Sequence, residues 1–117
     1  MSELGEINIS DEVIIDYVYD VVTSIPGIYS FSGNFSDAFS KSILGKESKA
    51  KGIKIAQDDE SIDIDIYIVV DYGVVIPDVA WNAQKAVQTQ LKKVVTKKIE
   101  RINVHVQGVR FEDDKNE

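Results

Sequence analysis

The chain has 117 residues, 44% of them hydrophobic and 28% charged, enough for one domain that buries roughly two-thirds of its unfolded surface, and too apolar for a chain disordered throughout. It contains no cysteine, which excludes disulfides and thiolate metal sites and fits a reducing, cytoplasmic compartment. A net charge of −7 argues against a phosphate-driven grip on nucleic acid, which needs a basic footprint.

The charge is unevenly spread. Residues 1–25 hold six acids and no lysine or arginine, and residues 58–78 hold seven acids and again no base. The bases gather at 41–54 and at 85–101. Such a division suits association through complementary patches. The opening MSELGEINIS carries acids where a secretory signal needs lysines. The apolar run Ile66 to Val70 is far short of the ~20 residues that cross a bilayer. Direct insertion into a membrane is therefore not expected, and membrane association would go through a partner.

In chain order, Ile7 and Ile9 alternate with polar neighbours and predict a short first strand. Ser10 offers a helix N-cap, with Asp11 and Glu12 where the helix dipole favours acids. Ile14, Val18, Val21, Val22 and Ile25 then mark one face of a helix over 11–24, stopped by Pro26-Gly27. Residues 28–51 show no sustained period. Their serines and spaced aromatics (Tyr29, Phe31, Phe35, Phe39) predict a loop tucked onto the core, with a short helix at about 37–43.

Ile53 and Ile55 open a strand, and Asp58-Asp59-Glu60-Ser61 is a polar turn. Ile62, Ile64, Ile66, Ile68 and Val70 then alternate with Asp63, Asp65, Tyr67, Val69 and Asp71, a period of two that predicts a long half-buried strand. So short a turn makes these two strands an antiparallel hairpin. Pro77 sits where a first helical turn tolerates proline. Val79, Ala83, Ala86, Val87, Leu91 and Val94 follow on one face of a helix over 77–96. Ile102, Val104 and Val106 form a last strand, and the shift of apolar parity to Val109 and Phe111 predicts a bulge at Gly108.

The expected fold is α+β, in the order β-α-(loop)-β-β-α-β. Two helices cover the apolar face of a small sheet, and the other face is polar. Residues 1–111 make a single domain, and 112–117 are a charged tail.

Chemistry-bearing constellations are sparse. His105 is the one histidine and lies on the polar sheet face between Asn103 and Gln107, the setting of an ordinary surface histidine. No serine stands in a nucleophile elbow, and no glycine-rich phosphate cradle occurs. The acids at 58–71 lack the glycine and closing glutamate of a calcium loop. No catalytic residue, metal, cofactor or small-molecule substrate is therefore expected. Trp81 falls about 140° from the centre of the second helix's apolar stripe, at 100° per residue. It is either an exposed interface anchor beside Gln84, Lys85 and Gln88 or is packed beneath the 28–51 loop. Trp81, Lys85 and Lys92 on that helix, with Tyr67 and His105 on the polar sheet face, are the candidate partner contacts.

The motifs in order are G-x-I-x-I-S (Gly5 to Ser10), P-G-I (Pro26 to Ile28), L-G-K (Leu44 to Lys46) and K-G-I-K-I (Lys51 to Ile55). D-I-D-I-Y-I-V-V-D-Y-G-V-V-I-P (Asp63 to Pro77) and I-N-V-H-V-Q-G-V (Ile102 to Val109) complete the series. Over Gly5 to Phe111 the chain thereby resembles the alkaline-shock-protein family, envelope stress response proteins of Gram-positive bacteria. The resemblance implies a cytoplasmic, non-enzymatic adaptor or scaffold that associates with itself or docks to a membrane-anchored protein. It supplies no active-site residues. The rival from another class is a small RNA-binding module of KH-like fold, against which stand the net charge and the absence of a basic G-x-x-G clamp.

Overall fold

The structure, a computed structural model, describes residues 4–33 and 52–111. Helix α1 (Asp11–Thr23) is followed by strands β1 (Ile28–Phe31), β2 (Ile53–Gln57) and β3 (Ser61–Asp71), helix α2 (Ile76–Leu91) and strand β4 (Lys98–Arg110). The α+β class is as expected. The suggested helix at 37–43 and the charged tail lie outside the described residues.

Helix α1 starts where its cap chemistry requires. The Ser10 hydroxyl accepts from the Val13 amide at 3.3 Å, and Ile14, Val18 and Val22 on one face are buried. Its last turn ends with Thr23 Oγ1 donating to the Tyr19 carbonyl and Ser24 Oγ to the Asp20 carbonyl. Such side-chain bonds compete with the helical ladder and favour its ending there.

Strand β3 is the axis of the sheet. Ile62, Ile64, Ile66, Ile68 and Val70 are all buried, while the intervening residues are half-exposed. On one side β3 pairs in parallel with β4 along its whole length, the α2 crossover supplying the return that a parallel pair needs. On the other side it pairs antiparallel with β2 and with β1, end to end. Tyr67 marks the join: its carbonyl accepts from the Ser32 amide, and its amide donates to the Gly52 carbonyl, both at 2.8 Å. Residues 28–32 and 52–57 therefore lie end to end along one edge of β3. The two helices lie side by side over the apolar face, with Val79, Ala83, Val87 and Leu91 of α2 joining the α1 residues in one core.

Four expectations need correction. Ile7–Ile9 is not a strand: Ile7 is 86% exposed, and Ile9 is held through its carbonyl by Gln57 Nε2 at 3.0 Å. The ladder position opposite the upper end of β3 belongs to Ile28–Phe31 instead. Phe31 there packs on the core and stacks on Tyr19 at 5.4 Å, whereas Tyr29 faces outward under the Arg110 guanidinium at 4.2 Å. Helix α2 ends at Leu91 rather than 96, because Val94 and Val95 turn inward after it and Val95 enters the core. Strand β4 begins at Lys98 rather than Ile102. Its register skips Glu100, so Ile99 and Ile102 serve the same face despite opposite parity. The bulge expected at Gly108 is present: Ile68 pairs with Val106 and Val69 with Gly108, leaving Gln107 as the extra residue.

Candidate interaction surface

Helix α2 aligns its apolar positions at i, i+4, i+8 and i+12 on the core, which leaves its opposite side to solvent. Trp81 lies there, 56% exposed, and the Lys85 ammonium sits 4.9 Å from its ring centroid. One helical turn separates the two residues, so the pairing follows from helix geometry, and the attraction is of the cation–π kind. Beside them α2 and the outer edge of β4 enclose an open cleft of about 380 Å³, lined by Trp81, Gln84, Lys85, Gln88 and residues Ile99 to Ile102. Gln84 Nε2 donates to the Ile102 carbonyl at 2.9 Å and ties helix to strand across it.

A second cluster lies on the polar sheet face, where the parallel register places Tyr67 beside His105 and Asp65 beside Asn103. The Tyr67 and His105 rings stack at 4.4 Å. His105 Nε2 lies 2.9 Å from Asp65 Oδ1, and Asn103 Nδ2 donates to the same oxygen at 3.1 Å. The hydrogen bond from His105, with help from Asn103, holds the Asp65 carboxyl below the usual carboxylate range against the opposing effect of burial. Arg101 Nη2 stands 3.8 Å from Asp63 Oδ2 on the same face.

The candidate residues thus fall into separate groups. Trp81 and Lys85 are joined at the cleft, Tyr67 and His105 on the far face of the sheet, and Lys92, the exposed C-cap of α2, lines neither. Trp81 is exposed at the cleft, whose described lining residues all come from α2 and β4. A strand that starts at Ile102 leaves out Ile99, Glu100 and Arg101; the parity change between Ile99 and Ile102 is the signal in the sequence that would include them. In the turn, Asp58 Oδ1 accepts from the Glu60 and Ser61 amides at 2.8 and 2.9 Å, so this carboxylate is spent on shaping the hairpin. Among the described residues no group of three His, Asp or Glu is placed to hold a metal ion, and no helix is long and apolar enough to cross a membrane.

The sequence profile of the alkaline-shock-protein family, whose description is a cell-envelope-related function, matches residues 1–111. This chain belongs to that family. Among its relatives is the uncharacterized protein YqhY of Bacillus subtilis, 32% identical over 111 residues, the match covering 95% of this chain and 82% of that protein. The uncharacterized protein YloU of the same organism is 33% identical over 111 residues, covering 93% and 92%. Among solved structures, a copper form of the MamM CTD superposes with a TM-score of 0.56 at 14% identity, covering 85% of this chain and 98% of that one. A nickel form of the same domain gives 0.55 at 15% identity, with 83% and 96% covered. At such identity the likeness is one of fold.

Proposed function

We propose that the protein is a non-catalytic interaction module of cell-envelope homeostasis, a scaffold in the cytoplasm that associates with itself or docks to a membrane-anchored protein. The observation that carries this reading is the exposed Trp81, held by Lys85 at the mouth of a cleft beside a sheet edge. A large aromatic ring flanked by charge, next to backbone that can still pair, has the make-up of an interface centre. The family's envelope-related description supports the setting.

The charge division supports contact between copies. The acids of α1, among them Asp16 and Asp20, face a chain whose bases gather around α2 and the start of β4. A basic surface of one protomer meeting an acidic surface of the next gives head-to-tail association, weakened by salt because the charges lie at the surface. Sedimentation at low and high salt, with and without Trp81→Ala, is the test. Concentration-dependent assembly that falls with salt and with the substitution is expected. A wild type that stays monomeric throughout ends the self-association reading.

A further inference from the structure

The apolar face of the sheet is unequally covered. On β3 the inward residues are fully buried, whereas Ile102, Val104 and Val106 of β4 are only half-buried. β4 is an edge: it pairs with β3 on one side, and no described strand pairs with the other. The Ile102 carbonyl points outward, since it accepts from Gln84 on α2. The alternation of a strand turns the backbone groups of Val104 and Val106 the same way. Such an edge is a template for an added strand.

A segment of the same chain has complementary features. Residues Gly5 to Ser10 carry strand-like alternation but form no ladder, and Leu4 and Ile7 are 95% and 86% exposed. The segment is tied at Ile9 to Gln57 of β2, across β3 from β4, so in its own protomer it sits at the opposite edge of the sheet. It brings Glu6 and no base, while at the edge of β4 Arg101 stands 3.8 Å from Asp63 and Lys98 4.0 Å from Glu100.

We infer that the N-terminal segment, Leu4 to Ile9, of one copy adds as a strand to the outer edge of β4 of the next. Its backbone would pair along Ile102 to Val106. Ile7 would complete the cover over Val104 and Val106, and Glu6 would turn to the opposite, polar face. Strand addition draws its affinity from main-chain hydrogen bonds and its specificity from alternate side chains. The exposed Ile7, beside an Ile9 that is anchored in its own protomer, then has a purpose outside the protomer. The inference deepens the self-association reading by naming its two surfaces.

Sedimentation of the full chain over a wide concentration range, compared with Ile7→Pro, tests it. Proline removes an amide the ladder needs, and the site is too exposed for the change to disturb the core. Association weakened by about tenfold or more is expected. Because the chain has no cysteine, an Ile7→Cys protein mixed with a Val104→Cys protein, the two positions sharing one face, should give a mixed disulfide dimer beyond the homodimers each forms alone. If the wild type associates and Ile7→Pro associates equally well, strand addition is overturned while self-association stands, through β4 edges pairing with each other or through the helices. If a chain carrying both cysteines closes on itself as a monomer, the exchange between copies is overturned. If the wild type never associates, both readings fall.

Discussion

Ile66 shows what one side chain contributes. It is fully buried at the centre of β3 and paired with Ile53 on β2 and Val104 on β4. Ile66→Ala should cost about 2–5 kcal/mol, the transfer loss plus the cavity left behind; a loss below about 1 kcal/mol in urea unfolding would mean the site is not core. Asp65, on the other face of the strand, governs a pH effect. Its folded carboxyl is held low chiefly by His105, so its stabilisation is complete above the unfolded value near about 3.9 and is lost as pH falls through the folded value. Asp65→Asn should therefore lower stability at neutral pH, by an amount that shrinks below about pH 4. Unfolding curves at pH 7 and in acid compare the two proteins, and a difference that stays constant would refute the role given to the carboxylate.

Among the elements, the edge where β1 and β2 lie end to end is the most demanding. Gly52 has φ +84, and a Cβ there would stand 2.9 Å from Phe31 Cβ, 3.0 Å from the Ser32 carbonyl and 3.1 Å from the Tyr67 carbonyl. Two of those three neighbours are backbone oxygens within the ladder and cannot turn aside. Gly52→Ala should cost about 1–3 kcal/mol and loosen the return of the chain into β2, seen as faster amide exchange at Tyr67 and Ile53. Unchanged exchange there would show that the join tolerates a side chain. The bulges of β4 follow a related logic: the skipped residues, Glu100 and Gln107, are polar and let Ile99, Ile102, Val104 and Val106 all serve the core face. Gln107 uses its freedom to accept from Ser32 Oγ at 3.0 Å.

For the whole molecule, charge and surface matter more than the core. An excess of acids, with bases confined to a few segments, separates the two signs of charge along the chain and suits contact between complementary patches. Raising ionic strength from about 0.05 M to 0.5 M shortens the screening length severalfold, so assembly held by these surfaces should fall in that range while thermal stability, set by the apolar core, changes little. Light scattering and calorimetry on the same samples separate the two. Assembly that strengthens with salt would point to a contact dominated by apolar burial instead. An RNA mobility assay at the lower salt should show no shift, as the net charge dictates.

Local pattern is enough for α1, the β2–β3 hairpin, the apolar and polar faces of β3 and the bulge before Gly108, but it leaves open whether Trp81 is exposed or packed beneath the 28–51 loop. In each, the signal is a period of 3.6 or 2, a cap or a parity change carried by neighbours in the chain. The motif series pointed to the family for the same reason. Tertiary structure decided what neighbours in the chain cannot specify. Ile7 to Ile9 and Ile28 to Phe31 are both short apolar stretches, and which of them pairs with Val70 to Ile68 depends on where Pro26-Gly27 turns the chain. The pairing of β4 in parallel with β3 follows from the α2 crossover. The cleft exists only because that pairing lays Ile99 to Ile102 beside Trp81 and Lys85, residues far enough along the chain that no local period links them.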